Sequence, residues 1–237
     1  MNVRPPATVP GHLLLEGIVG STAYGLAGPD SDEDRLGIYA APTEEFHGLN
    51  PPVGKRESVV TKAPDASYHE ALKYVRLALS GNPTVMELLW LPDELYVHRS
   101  PLGDDLVGIR SKLLSAHRVR AAYLGYAAQQ LGKLEARGDG TFSSDLRKRT
   151  AKHARHLARL INQGVYLYAT GHLQIRLEDP QWFHDFGERV ANGDLRYAQR
   201  HLADAEAAFP RVTCALPAEP DEEAVNRWLL RVRSYYL

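Results

Sequence analysis

A single cysteine, Cys214, stands in 237 residues. It excludes an internal disulfide and any metal site built on paired cysteines, and it suits a reducing compartment. No lysine precedes Lys55, so the early glycines cannot form a P-loop, which ends in Gly-Lys-Ser/Thr. No apolar stretch approaches the roughly 20 residues of a membrane span, and none of signal-peptide length follows Met1-Asn2-Val3-Arg4-Pro5-Pro6. The expectation is a cytoplasmic protein with no membrane partner. With a net charge of −1 and a pI near 6.8, the chain lacks the overall basic excess of a nucleic-acid binder, whose domain pI more often exceeds about 9. Repeats and low-complexity tracts are absent. What is present, 44% hydrophobic and 24% charged residues, is enough for one large globular domain or two small ones.

The most informative segment joins Gly20-Ser21 to Asp32-Glu33-Asp34 at the head of the apolar run Leu36-Gly37-Ile38-Tyr39-Ala40. Residues two apart on a strand share a face, so Asp32 and Asp34 would offer hard oxygen ligands side by side to a divalent cation, with Glu33 turned away. A glycine permits close approach of a polyphosphate, and the Ser21 hydroxyl and neighbouring N–H groups can donate to its oxygens. An EF-hand loop beginning at Asp30 fails, because its sixth position, which requires glycine, holds Arg35, and its twelfth, which requires glutamate, holds Ala41. The competing structural reading is an ordinary polar turn over Gly28-Pro29-Asp30-Ser31-Asp32.

Hydrophobic periodicity predicts strands over Leu13–Val19, Leu36–Ala41 and Glu57–Lys62, with Asp65–His69 extending the sheet after Pro64, and a capped turn at Thr43–Phe46. Helical patterns follow from Glu70 to Leu79 and again after Pro83. From about Leu102 onward helices dominate: Ala116–Ala136, Leu146–Thr170, Pro180–Asn192, Leu195–Phe209 and Glu222–Tyr235, with His172–Leu177 read as a late strand. Gly138-Asp139-Gly140-Thr141 is expected to be a flexible loop and Pro217-Ala218-Glu219-Pro220 a stiff connector. Strands early and helices late predict an α+β fold: a small mixed sheet with flanking helices, followed by a helical C-terminal region.

Charge is distributed unevenly. Between Arg147 and Arg159 the chain carries Arg147, Lys148, Arg149, Lys152, Arg155 and Arg159 with no acidic residue, whereas Asp30 to Glu45 is acid-rich. An acidic metal site facing a basic helix makes a polyphosphate cleft. On that helix Arg149, His153 and His156 share one face, beside a stripe of Lys148, Lys152, Arg155 and Arg159. A solvated basic helix is the alternative. A zinc site on His153 and His156 lacks a His-Glu-x-x-His motif and a cysteine partner.

The Gly-Ser pair, spacer and Asp-x-Asp resemble the DNA polymerase beta nucleotidyltransferase superfamily. The wording Gly20-Ser21-Thr22-Ala23-Tyr24-Gly25-Leu26 and Asp30-Ser31-Asp32-Glu33-Asp34-Arg35-Leu36-Gly37 is more similar still to the branch linked to bacterial and phage RNA repair operons. The likeness runs on through Gly81-Asn82-Pro83 with Glu87-Leu88-Leu89, Tyr123-Leu124-Gly125-Tyr126 and Lys152-His153-Ala154-Arg155-His156, spanning about Gly17 to Leu177. The resemblance implies a nucleotidyltransferase domain over 1–100 and a helical substrate- or nucleotide-binding region over 101–237. It implies Mg²⁺ (or Mn²⁺) held by Asp32, Asp34 and a third carboxylate, an NTP substrate cradled by Gly20 and Ser21, and an RNA end as acceptor, with pyrophosphate released. Protein or small-molecule acceptors, and a non-catalytic sensor of nucleotides or RNA ends, are the alternatives. Tyr68-His69-Glu70-Ala71 resembles the family segment that closes a strand with an acid, which favours Glu70 as third carboxylate over Asp65. The structural alternatives are a first-turn acid at Glu70 and a turn residue at Asp65. By the same resemblance Lys152, His153, His156 and Arg159 bind triphosphate or an RNA end. Asn82, Glu87, Tyr123 and Tyr126 read chiefly as architecture, and oligomeric state is not legible.

Overall fold

The computed structural model describes residues 9–28, 31–62, 65–136 and 144–237. The Gly138–Thr141 loop, Pro29 and Asp30 of the polar turn, Pro64 and the Met1–Pro6 segment lie outside the described residues. Five strands form one mixed sheet in the order β3-β4-β2-β1-β5, with β1 at His12–Val19, β2 at Asp34–Ala40, β3 at Ser58–Lys62, β4 at Asp65–Glu70 and β5 at Tyr96–Arg99. Only the β2–β4 pair is parallel; the other three pairings are antiparallel. Strand alternation divides the faces. Leu36, Ile38 and Ala40 point into the main core, while Tyr39, Ala66 and Tyr68 build a small apolar cluster on the opposite face.

The described helices are α1 (Gly20–Tyr24), α2 (Ala71–Leu79), α3 (Pro83–Met86), α4 (Pro101–Gly108), α5 (Ala116–Glu135), α6 (Ser144–Thr170), α7 (Pro180–Ala191), α8 (Leu195–Ala208) and α9 (Glu222–Tyr235). Local chemistry sets several starts. Asn82, Ser100, Asp179, Asp194 and Asp221 each accept a backbone N–H in the first turn of α3, α4, α7, α8 and α9, and Pro83, Pro101 and Pro180 occupy first positions where no N–H is needed. Helix α6, about 40 Å long by its residue count, packs between α5 and α7 and buries Ala151, Ala154, Leu157, Ala158 and Leu160. Gly164 has the α5 ring of Tyr123 where a side chain would go, so the two helices meet closely there. The sheet with flanking helices and the later helical region give the α+β architecture. Among the described residues no helix is long and apolar enough to cross a membrane.

Two elements depart from the sequence reading. Residues 172–177 form no strand. Leu173, Ile175 and Leu177 are buried alternately as a strand pattern demands, but the backbone pairs elsewhere: Gln163 Nε2 donates to the Gln174 carbonyl at 2.8 Å, and the Leu177 N–H donates to the Tyr24 carbonyl at 3.2 Å. Alternate burial reveals extended backbone, not a strand partner. Conversely β5 carries no such alternation, since Val97, His98 and Arg99 are all exposed, and it pairs at the sheet edge with β1.

The C-terminus docks on the sheet. Tyr236 stacks on His12 with ring centroids 4.1 Å apart, and its carbonyl accepts the Thr43 N–H at 3.0 Å.

Candidate active site

Strand pairing brings the acidic and glycine motifs to one sheet end. Val19, the last residue of β1, is opposite Asp34, the first of β2, and Asp34 is in turn opposite Asp65, the first of β4. Paired residues share a face, so the Asp34 and Asp65 side chains stand on the core side of the sheet beside the chain's turn into α1. Asp32 precedes β2 and is exposed. Burial pushes the Asp34 carboxyl up, and Asp65 and Asp32 push it further, while Lys152 opposes them. Glu33 does turn away: it bonds Arg35 at 2.8 Å, and Arg35 reaches the buried Glu16 at 3.3 Å, beside Tyr68 on the opposite face.

Gly20 is required by shape. Its φ is +69°, and a Cβ there would lie 2.4 Å from Asp34 Oδ2. Its amide lies near enough to the Glu87 carboxylate to lower that group's pKa; Gly20 serves the site by its missing side chain, and Ser21 with the rest of α1 supplies donors. Glu87 also accepts the Tyr24 hydroxyl and pairs with Arg159 at 3.1 Å.

Glu70 lies apart from this cluster. It sits at the opposite end of β4, opposite Tyr39, five residues and about 16 Å along the strand from Asp65. There it caps α2, accepting the Leu72 N–H at 2.8 Å, and forms a two-pronged pair with Arg233 at 2.7 and 3.0 Å. The carboxylate beside Asp34 is Asp65.

The basic helix also separates into parts. Lys152 is exposed and within electrostatic reach of Asp34. His153 bonds Gln130 of α5 at 2.8 Å. His156 is lowered to about 3, chiefly by burial and then by Arg159 and His153, so it is neutral near pH 7 and brings no charge to a phosphate. Arg159 is 4% exposed and belongs to the Glu87 network. Arg147 pairs with Glu188 at 2.8 Å, and Arg155 is packed against Gly187 of α7. Lys148, Arg149 and Lys152 stay exposed near the start of α6. Asn82 bonds Tyr126 at 2.7 Å, and Tyr123 is buried, as architecture requires.

Among the described residues no group of three or more His, Cys, Asp or Glu side chains converges tightly enough to hold a metal ion as it stands. The carboxylates nonetheless suit a hard divalent cation such as Mg²⁺ or Mn²⁺. Mg²⁺ usually takes one or two carboxylates and completes its shell with waters and substrate phosphate oxygens, without an all-protein cage. The upward push on Asp34 from Asp65 and Asp32 is the like-charge crowding a cation relieves.

No curated protein matches the chain. A family model covers residues 6–204, from before β1 through most of α8, and so includes Gly20, Ser21, Asp32, Asp34, Asp65 and Lys152. By that match the chain belongs to the RNA repair pathway DNA polymerase beta family (RlaP), a polymerase beta-type nucleotidyltransferase family.

Proposed function

We propose that this protein moves a nucleoside monophosphate from an NTP to the hydroxyl of an RNA end and releases pyrophosphate. The observation that carries the reading is the register Val19–Asp34–Asp65, which sets two carboxylates side by side where Gly20 leaves room against Asp34. In this reading Asp34 and Asp65, joined by Asp32, hold a divalent cation, Mg²⁺ or Mn²⁺. When bound, that ion would neutralise phosphate charge and polarise the acceptor oxygen. Ser21 and the first N–H groups of α1 take β- and γ-phosphate oxygens. Lys152, with Lys148 and Arg149 nearby on α6, draws the triphosphate or the RNA backbone toward the carboxylates. Residues 1–100 then carry the chemistry, and the helical region 101–237 supplies the facing cations.

The test is incubation with Mg²⁺ or Mn²⁺, each α-labelled NTP and a mixed RNA pool, beside Asp34→Asn and Asp65→Asn. Label entering RNA with the wild type alone supports the reading. Label on protein redirects it to protein modification, and NTP binding without any transfer makes the chain a nucleotide sensor.

A further inference from the structure

Beneath α1 lies a buried polar network. Glu87 and Arg159 are 2% and 4% exposed and come from distant parts of the chain, the 3-10 turn Glu87–Trp90 after α3 and the middle of α6. Their ion pair is one bond among several. The Glu87 carboxylate also accepts the Tyr24 hydroxyl, and the Gly20 amide lies near enough to lower the carboxyl's pKa. Arg159 donates to Gln163 at 2.6 Å, and its guanidinium lies 4.1 Å above the Tyr24 ring. Helix α1 is therefore held at its last side chain by that carboxylate and at its last carbonyl by the Leu177 N–H.

Stability alone does not explain this arrangement. A buried ion pair is often matched or bettered by apolar side chains of similar volume. An apolar side chain cannot, however, accept the hydroxyl of Tyr24, the last residue of α1. A helix of five residues has little stability of its own, and Val19 at its N-cap makes no side-chain cap bond. Something outside α1 must fix the turn that places Gly20 against Asp34.

We propose that Glu87 is a positioning residue that fixes the Gly20–Ser21 turn against Asp34, and that Arg159 is its counter-charge and couples that turn to α6, the helix carrying Lys152. Lys152 and Arg159 are seven residues apart on one face of α6, about 10 Å along its axis. The same bond that holds the turn thus registers the exposed lysine over the carboxylates. Glu87 neither faces the substrate nor belongs to the acidic set; it acts through Tyr24 and the short helix that Tyr24 ends. The inference rests on the transferase reading above for its catalytic consequence, but its geometric content stands without it.

The experiment uses the full chain with Glu87→Met/Arg159→Met, which replaces the ion pair by apolar side chains, beside Glu87→Gln, which keeps an acceptor oxygen. Melting temperature reports folding, hydrogen exchange reports the Gly20–Tyr24 amides, and steady-state kinetics separate kcat from KM for the NTP. The double variant is expected to fold, to exchange the Gly20–Tyr24 amides roughly tenfold faster, and to lose about 100-fold in kcat with a smaller change in KM. Glu87→Gln is expected to recover much of the amide protection and of kcat. A folded double variant with wild-type protection, or with lost protection and wild-type kcat, overturns the proposal. If the double variant does not fold, Tyr24→Phe, which removes the hydroxyl that Glu87 accepts, decides: protection and kcat falling together support the tether, and both unchanged, or kcat falling with protection intact, overturns it. An inactive wild type removes the transferase reading instead, and the exchange data then judge the tether alone.

Discussion

Gly20 is packed with its Cα against the carboxylate of Asp34, so closely that an added methyl group would lie 2.4 Å from Oδ2. Since Val19 is opposite Asp34 in the sheet, the contact follows directly from the chain turning into α1 one residue past that pair. The glycine of the Gly-Ser motif is thus the complement of the aspartate, and the two motifs form one steric unit.

Gly20→Ala tests that unit. The substitution combines a left-handed backbone, which costs a non-glycine residue about 1–2 kcal/mol, with a clash relieved only by moving the Asp34 side chain or the turn. The expected result is a melting temperature lower by several degrees and transfer reduced by about 100-fold, since displacement of a reacting group by about 1 Å has that effect. Wild-type turnover in Gly20→Ala would show that the contact does not matter to the site.

Asp34→Asn separates stability from activity. The folded-state carboxyl is raised by burial and by Asp65 and Asp32, so the folded state binds a proton that the unfolded state has already released. That costs stability as pH rises through the folded pKa and nothing below the unfolded value. The neutral variant should therefore melt higher than wild type at pH 7 and level with it at pH 3, while transfer is nearly abolished. Added Mg²⁺ should raise the wild-type melting temperature at pH 7, as any ligand of the folded state does, and leave the variant unmoved. Thermal scans at the two pH values, with and without the ion, check both statements.

Much of this was legible in the sequence because it is written locally. The strand ending in Gly20-Ser21, the Asp-x-Asp ahead of an apolar run and the helix starts at Asp179-Pro180 and Asp221 depend on neighbours in the chain. The third carboxylate depends on which strand lies beside β2 and in what register, and no local pattern states that Asp65 is opposite Asp34. The fate of the basic helix was hidden for the same reason: Arg159 and Lys152 look alike in sequence, but one points at Glu87 and the other stays in solvent. A glutamate inside the apolar run Val85-Met86-Glu87-Leu88-Leu89 was the visible clue, since a carboxylate buried there demands a cationic partner.

Glu70→Ala and Arg233→Ala should be defects of folding, not of chemistry. Glu70 is 1% exposed, caps α2 and pairs with Arg233 from α9. Breaking such a buried pair from one side costs about 3–5 kcal/mol. Denaturant unfolding should show a loss of that order for Glu70→Ala. At a temperature where the variant is still folded, its transfer rate per folded molecule should stay within a few-fold of wild type. A loss of turnover as deep as that of Asp65→Asn would return Glu70 to the reacting centre.

Lys152 and His156 lie on one face of α6, a turn apart, and should behave in opposite ways. Lys152 is exposed and lowers Asp34, so Lys152→Met removes a positive charge facing both the carboxylates and an incoming triphosphate. The KM for the NTP should rise about tenfold at low salt, and the difference should shrink as salt screens the charge. His156 is held neutral, with its pKa lowered to about 3 chiefly by burial. The unfolded state therefore takes up a proton near pH 6.5 that the folded state refuses, and stability falls as pH drops from there toward 3. His156→Gln should flatten that part of the melting profile. Between pH 6 and 8 it should leave the KM for the NTP nearly unchanged, because an uncharged imidazole contributes no attraction to phosphate. A tenfold rise in KM for His156→Gln would mean that the ring meets the nucleotide directly, and a pH-independent melting difference would mean that it stays neutral in both states.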